Sequence, residues 1–398
     1  MGVPVTTQSY ALSESNRTRQ RFRHYAVALI LITFLLIGIL VSRIYIVAHL
    51  QAIAVMKQVA GQSIPRFIRN EATEAVTQRD LTIPTPDGDL RARLYLPAKH
   101  PNAPGLVVFH GVHHLGMNEP RLEAFAQAMA ASGLNVLTPE LPAIKDYRVS
   151  EASIHAIGES AKWFAQQRGK PVGVMGLSFS GGLALVAAAN PVYASSMKFV
   201  FAVGSQGAMT RVASYYRTGN DPRPDGTTEI LPAHEYGPLV LEYEHIEEFV
   251  PASDVKPIRN VLRAHLYEDN DAESSALKLL NARQTAEAKR LMDAASSSTR
   301  SLLLTSENKH AAEMQQLSPE AHLHDLTVPV FLLHGEADNI IPAAETLWMA
   351  SQLRAEYLQA ALVSPMLSHL DMNKEPSLID QWQLIHFMAK VLRMAHQS

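Results

Sequence analysis

One stretch of this chain decides the fold: Pro171-Val-Gly-Val-Met-Gly-Leu-Ser-Phe-Ser-Gly-Gly-Leu-Ala-Leu-Val-Ala-Ala-Ala189. It begins with a short apolar run, Val172 to Met175, which predicts a buried strand. After Gly176-Leu-Ser178-Phe-Ser180-Gly-Gly182 it continues as an Ala- and Leu-rich segment that predicts a helix. A serine on a sharp turn between a strand and a helix forms a nucleophile elbow, which exposes its hydroxyl at the top of a sheet. Ser178 is therefore the candidate nucleophile.

The elbow requires small residues, because the chain must pass very close to itself. Gly176, Ser180 and Gly181 supply them at two before, two after and three after Ser178. The motif departs from G-x-S-x-G in having Ser180 at the second position after the nucleophile. Ser180 is the alternative nucleophile, but the residue three after it is Leu183, whose side chain would obstruct the turn. The spacing therefore favours Ser178.

Composition excludes several classes of protein. The chain has 398 residues, 47% of them hydrophobic and 18% charged, with a formal net charge of -3. This near-neutral balance, without a long basic run, argues against a nucleic-acid partner. Cysteine is absent, which excludes disulfides, thiolate zinc sites and a cysteine nucleophile. The length allows one large domain with an insertion, or two domains.

The amino-terminal region predicts a membrane anchor. Residues 1–24 are polar and predict a disordered cytoplasmic tail, and residues 25–46 are apolar over a length that predicts a transmembrane helix. Arginines at positions 17, 19, 21 and 23 precede this run, which predicts a cytoplasmic amino terminus. The catalytic domain is then expected on the outer side, periplasmic or extracytoplasmic. A cleaved signal peptide is the alternative, but the apolar run is longer than the usual signal core.

The rest of the chain predicts an α/β fold with a mostly parallel central sheet between helices. Residues 47–77 are expected to form a stalk or linker, and apolar runs then alternate with helical segments over 78–208 and again over 326–398. Residues 209–325 are polar and helical in pattern, which predicts a helical cap insertion over the sheet. The predicted strands lie at 79–83, 90–96, 105–110, 135–139, 172–175, 198–203, 328–334 and 357–363.

Four segments together resemble the α/β-hydrolase superfamily, in its dienelactone-hydrolase-like or carboxylesterase-like range. They are His110-Gly111 after the third predicted strand, Gly176 to Gly182, His334-Gly-Glu-Ala-Asp338-Asn-Ile-Ile-Pro342, and Ser368-His369-Leu-Asp371. Their order of Ser, Asp and His is the order of that superfamily. The resemblance covers about residues 78–208 and 326–393, and it implies the α/β-hydrolase fold with a catalytic triad.

The resemblance assigns a role to each member of the triad. His369 would take the proton of Ser178 as the hydroxyl attacks, and then return it to the leaving group. Asp338 would hold the tautomer of His369 and stabilise the imidazolium. Glu336 is the alternative acid. The backbone N–H groups of Val112 and Phe179 would form the oxyanion hole.

No metal and no cofactor are predicted. His110, His113 and His114 lie close in sequence, but no nearby carboxylate completes a ligand set at the usual spacings. His110 is therefore expected to shape the oxyanion loop.

The sequence predicts a serine hydrolase that cleaves an ester or related acyl bond through an acyl-enzyme. Peptidase or acyltransferase activity on the same triad is an alternative, and so is a non-catalytic, membrane-tethered binding module. The expected partners are a small-molecule or lipid-like acyl substrate and, through the amino-terminal helix, a membrane. Neither the natural substrate nor the oligomeric state follows from the sequence.

Overall fold

The computed structural model describes residues 29–33, 36, 38, 42–293, 296–367 and 377–397. Its centre is an eight-stranded sheet with the strand order β1-β2-β4-β3-β5-β6-β9-β10. These strands are β1 Val76–Ile83, β2 Leu90–Pro97, β3 Gly105–Phe109, β4 Asn135–Pro139, β5 Val172–Leu177, β6 Met197–Val203, β9 Val330–Gly335 and β10 Leu358–Ser364. A separate two-stranded ribbon consists of β7 Asn220–Pro222 and β8 Thr228–Ile230.

The helices flank this sheet and fill the segment between β6 and β9. Residues 42–59 form the first long described helix, here called α1. The others are α2 Arg66–Ala72, α3 Pro120–Ala131, α4 Pro142–Lys145, α5 Glu151–Arg168, α6 Phe179–Ala189, α7 Pro191–Ala194, α8 Met209–Thr218, α9 Tyr236–Glu244, α10 Ile246–Phe249, α11 Ala252–Leu266, α12 Asn270–Lys278, α13 Ala282–Met292, α14 Ser297–Lys309, α15 Ala311–Gln316, α16 Ala344–Gln352 and α17 Leu378–His396.

The directions of the strands bring several of their carboxyl ends together at one edge of the sheet. The strands β1 and β2 pair antiparallel, as do β2 and β4, whereas the pairs from β4 through β3, β5, β6 and β9 to β10 are parallel. The carboxyl ends of β3, β5, β6 and β9 therefore meet at one edge, where open α/β sheets bind ligands. The predicted mostly parallel sheet with flanking helices is confirmed.

The two faces of the sheet bury different sets of side chains. Val107 and Phe109 of β3 belong to one apolar cluster with α5 and α6. Leu106 and Val108 belong to a second cluster with α1, α3 and α17. This alternation follows from the period of two along a strand. Because both faces are covered, β3, β4 and β5 are buried almost throughout.

Residues 47–77 do not form the stalk that the sequence predicts. Ala48, Ala52 and Val55 of α1 are buried in the cluster that contains α17. The His49 ring stacks on Trp382 of α17 at 5.3 Å, and its Nε2 lies 3.1 Å from Nδ1 of His386. The segment therefore packs onto the core of the central sheet through α1.

The predicted transmembrane helix at 25–46 falls partly outside the described residues, and the predicted tail at 1–24 falls wholly outside them. Among the helices of the described residues, none combines the length and apolar character that a membrane crossing requires.

The segment between β6 and β9 is mostly helical, and it is divided more finely than its sequence pattern indicates. The sequence pattern of residues 272–296 predicts one helical run, whereas in the structure α12 ends at Lys278 and α13 begins after Asn281. Asn281 and Gln284 form a capping box, which satisfies backbone amides at the start of α13 and so favours a new helix there. The ribbon β7–β8 lies where the sequence shows a cluster of Pro and Gly.

Candidate active site

Ser178 occupies a strained turn at the carboxyl end of β5. It precedes the first residue of α6 and has φ 56° and ψ −135°, a conformation that side chains with a Cβ rarely adopt. Its own amide donates to the carbonyl of Val203, the last residue of β6, at 2.8 Å. The backbone is therefore fixed on both sides of the serine, as in a nucleophile elbow.

The residues around Ser178 must be small because the atoms next to them leave no room for a larger side chain. A Cβ at Gly176 would lie 2.5 Å from the Cα of Gly181, and a Cβ at Gly182 would lie 2.6 Å from Oε1 of Gln206. Both distances are shorter than heavy atoms tolerate, so a larger residue at Gly176 would push the start of α6 away from β5, and one at Gly182 would displace the Gln206 side chain. The steric reasoning from the sequence thus agrees with the geometry.

The Ser180 hydroxyl forms a hydrogen bond that a glycine at this position could not form. Its Oγ donates to the carbonyl oxygen of His110 at 2.6 Å, and the residue is fully buried. This bond ties the first turn of α6 to the loop after β3. Ser178, by contrast, lines the large cavity at the carboxyl edge of the sheet. The arrangement favours Ser178 over Ser180 as the nucleophile.

His110 is held in one tautomer by two backbone groups. Its Nε2 accepts from the amide of Leu141 at 2.9 Å, so Nδ1 carries the proton, and Nδ1 donates to the carbonyl of Gly111 at 2.8 Å. Burial lowers the pKa of His110 to about 4, which keeps the ring neutral. His110 therefore fixes the direction of the Gly111 carbonyl.

The predicted oxyanion donors lie on the wall of the same cavity as Ser178. In a trans peptide the C=O and N–H point in opposite directions, so His110 also sets the direction of the Val112 amide. Phe179 is the first residue of α6, whose amide has no partner inside the helix. Within the described part of the chain, no acceptor pairs with the amide of Val112 or Phe179.

Asp338 lies behind this cavity on the loop after β9. It is 1% exposed, and its Oδ1 accepts from the amides of Ile340 and Ile341 at 2.9 and 3.0 Å. Its Oδ2 lies 3.4 Å from Nε2 of His334. Glu336, the alternative acid, is exposed to solvent. His369, the predicted base, lies outside the described residues.

The cavity next to Ser178 has a volume of about 720 Å³, which suits a small organic ligand. Sequence reasoning missed most of its polar lining, because those side chains come from the segment 209–325 and from loops distant in sequence. They include Tyr147, Tyr216, His234, Tyr236 and Glu268. The sequence carries no motif for this group.

One group of side chains in the described chain has metal-ligand geometry, and it lies away from the cavity. The ligand atoms of His245, His310 and Glu313 lie within 4.8 Å of one another. The two ring nitrogens of His310 already lie 2.8 Å from Glu248 and 3.1 Å from Glu313. Ion pairing thus accounts for the arrangement. His113 and His114 stack on each other at 4.7 Å and are not part of this group.

Several solved structures share a distant likeness with this chain. They include the acylaminoacyl peptidase of Pyrococcus horikoshii (13% identity, 72% of this chain, 36% of that chain, TM-score 0.40). The esterase of Pyrobaculum calidifontis matches at 17% identity over 88% of this chain and 92% of that chain, with a TM-score of 0.44. Est1E from Butyrivibrio proteoclasticus matches at 13% identity over 78% and 97%, also with a TM-score of 0.44.

The chain therefore spans only 36% of the length of the acylaminoacyl peptidase. No curated protein matches the sequence.

A family model matches more than half of the chain. It is the model of X-Pro dipeptidyl-peptidase (S15 family), and it covers residues 154–369, which contain Ser178, Asp338 and His369. The resemblance to α/β-hydrolases is confirmed at this level, and the narrower dienelactone-hydrolase-like or carboxylesterase-like range stays a prediction. This chain belongs to the X-Pro dipeptidyl-peptidase (S15) family, whose members are serine hydrolases of the α/β-hydrolase type.

Proposed function

We propose that this protein cleaves an ester or related acyl bond through an acyl-enzyme, with Ser178, His369 and Asp338 as its catalytic triad. One observation carries the proposal: Ser178 lies on a strained elbow in the wall of a cavity that Val112 and Phe179 also line. A serine hydroxyl on a cavity wall that also carries two amides without a described acceptor suits attack on a carbonyl and stabilisation of the resulting oxyanion.

In the first half of the reaction, Ser178 Oγ bonds to the acyl carbon as His369 takes the hydroxyl proton. The carbonyl π pair moves to oxygen and is held by the Val112 and Phe179 amides. The pair returns as the bond to the leaving group breaks, and that group accepts the proton from His369. A water molecule then repeats the sequence on the acyl-enzyme, which releases the acid and restores Ser178.

Cleavage of a peptide bond is the second candidate, and the family match favours it. The matching model is that of an X-Pro dipeptidyl-peptidase, whose name denotes release of a dipeptide that ends in proline. The same triad serves both reactions. Ala-Pro-p-nitroanilide separates the two, because a serine peptidase also cleaves activated p-nitrophenyl esters, whereas an esterase that is not a peptidase releases no p-nitroaniline from this amide.

The place of the enzyme in the cell is a further part of this proposal. Residues 25–46 would anchor the chain, with the amino terminus cytoplasmic and the catalytic domain on the outer side. The uncharged run from Tyr25 to Val41, preceded by four arginines, supports this orientation. The segment 209–325 would act as a cap that shapes the cavity.

The first test is covalent labelling of the full chain with a fluorophosphonate, mapped by peptide mass spectrometry. We expect one adduct, on Ser178, and its loss in Ser178→Ala. Ser180→Ala is the matched control, because this neighbouring serine bonds to the His110 carbonyl, and it should still be labelled. His369→Ala should remove labelling by removing the base. A folded protein that labels elsewhere, or not at all, would refute the triad.

A further inference from the structure

One end of the cavity beside Ser178 is built mainly from apolar side chains, although the paired Glu119 and Arg121 at the start of α3 also line the cavity. This end lies on the sheet face that carries α1, α3 and α17, where Met175, Phe201 and Leu333 form its floor at the carboxyl ends of their strands. Its wall consists of side chains that belong to, or pack against, the apolar cluster of that face: Met56, Val59, Leu122, Phe125, Leu384 and Met388.

The helix α1 is a fixed part of this wall. Met56 and Val59 are one helical turn apart, so both point to the same side of α1 and reach the cavity. Ala48, Ala52 and Val55 are buried against the same cluster. Because α1 is anchored at several points along its length, Met56 can set the depth of the apolar end.

The other end of the cavity is polar and lies under the segment 209–325. Tyr236 Oη donates to Glu268 Oε1 at 2.8 Å, and the rings of His234 and Tyr236 meet edge to face at 4.9 Å. The hydroxyl of Tyr216 is buried and has no hydrogen-bond partner among the described residues, although Tyr216 lines the cavity. A buried hydroxyl without a partner favours a polar atom of a ligand.

Ser178 lies at the boundary between the two ends. The residue before it, Leu177, packs against the apolar cluster of α17. The residue after it, Phe179, belongs to the cluster that includes Tyr216 and Leu266 beneath the polar end. A substrate bound across Ser178 therefore meets apolar surface on one side and polar groups on the other.

We propose that the apolar end is an acyl chamber, so that the substrates are esters of unbranched aliphatic acids with a polar leaving group. This inference rests on the proposed function, since it assigns the acyl part and the leaving group of the cleaved ester to the two ends of the cavity. On binding, the methylene groups of the acyl chain are transferred from water into the apolar chamber. The leaving group is held among Tyr216, Tyr236 and Glu268. Met56 of α1 limits the chain length.

The test is the dependence of kcat/KM on acyl length, measured on the full chain with p-nitrophenyl esters from acetate to laurate. We expect kcat/KM to rise roughly two- to fourfold per methylene until the chamber is full. Met56→Trp should lower the ratio of decanoate to acetate hydrolysis at least tenfold, whereas Met56→Ala should move the optimum to longer chains.

Met394→Trp is the matched control. Met394 packs against the same cluster, also half-buried, but does not line the cavity, so its replacement should leave the chain-length profile unchanged. Fluorophosphonate labelling of Ser178 in each variant establishes that its site is intact.

The outcomes separate this inference from the proposed function. If Ser178 is labelled but both Met56 variants keep the wild-type profile, the acyl chamber is wrong and the serine hydrolase stands. Labelling of Ser178 without cleavage of any ester, or with cleavage of Ala-Pro-p-nitroanilide alone, also overturns the chamber. If Ser178 is not labelled at all, the proposed function fails first.

Discussion

At the scale of single residues, His110 illustrates how a side chain can position a backbone group without exchanging protons. Both of its ring nitrogens are engaged, one by the Leu141 amide and one by the Gly111 carbonyl. Its own carbonyl accepts from Ser180. The loop after β3 and the first turn of α6 are thus joined at His110, next to the two amides of the proposed oxyanion hole.

Replacing His110 should therefore slow the chemical step more than it weakens binding. We expect His110→Ala to lower kcat about 10- to 100-fold and to change KM little. This loss does not exceed the one that typically follows removal of an oxyanion donor. His110→Asn, which can still donate to a carbonyl, should restore part of the loss. Steady-state kinetics on one ester checks this.

Because burial holds the pKa of His110 at about 4, the pH profile of kcat between pH 6 and 9 should be unchanged in the variant. A displaced profile would mean that His110 titrates in the reaction. A rise in KM that matches the fall in kcat/KM would instead indicate loss of binding.

At the scale of elements, α9 contains a buried carboxyl group whose pKa the fold raises. Both side-chain oxygens of Glu242 are buried without a hydrogen-bond partner among the described residues. Burial raises the pKa of Glu242 well above its usual value of 4.5, and the charge of Arg290 opposes this only in part. The folded protein therefore keeps a proton on Glu242 to a higher pH than the unfolded chain does.

This difference makes the stability of the protein fall as the pH rises. Below pH 4.5 both states are protonated, so Glu242 contributes no slope. Above pH 4.5 Glu242 ionises only in the unfolded state. The free energy of unfolding therefore drops by up to about 1.4 kcal/mol per pH unit until the pKa of Glu242 in the folded protein is reached. Glu242→Gln should flatten this part of the dependence, as measured by urea unfolding between pH 5 and 8.

The exposed Glu247 of the adjacent helix provides the control for this measurement. Glu247→Gln should leave the slope as in the wild type. An unchanged slope in Glu242→Gln would show that other groups account for the pH dependence, of which Glu244, whose pKa burial raises to about 7, is the nearest.

At the scale of the whole molecule, α1 joins the amino-terminal region to the catalytic fold. A chain that begins at Ser42 keeps all of α1 and should unfold at the same urea concentration as the full chain. A chain that begins at Gln62 lacks Val55, Met56 and the buried alanines of α1. It should lose on the order of 3 kcal/mol or more of unfolding free energy, because it exposes the apolar cluster around α17.

Urea unfolding of the two truncated chains checks this prediction. Equal midpoints for both chains would mean that α1 is a dispensable attachment, as expected for a stalk. Loss of structure in the chain that begins at Ser42 would mean that the residues before it take part in the fold.

The order of the elements and the elbow could be predicted from the sequence alone. Apolar runs, turn residues and helical spacing are local properties, so the eight strands of the main sheet lie close to their predicted positions. The small residues around Ser178 likewise follow from the steric needs of one turn. The triad also rests on local motifs, and it stays a prediction.

Only the tertiary structure decided what surrounds Ser178. The contact of α1 with α17 joins residues more than 300 positions apart, for example His49 and His386, and no local pattern encodes such a pairing. The same holds for Tyr216 and Glu268, which reach the cavity through the packing of the segment 209–325. Secondary structure follows from neighbours along the chain, whereas the shape and polarity of a cavity follow from which surfaces pack together.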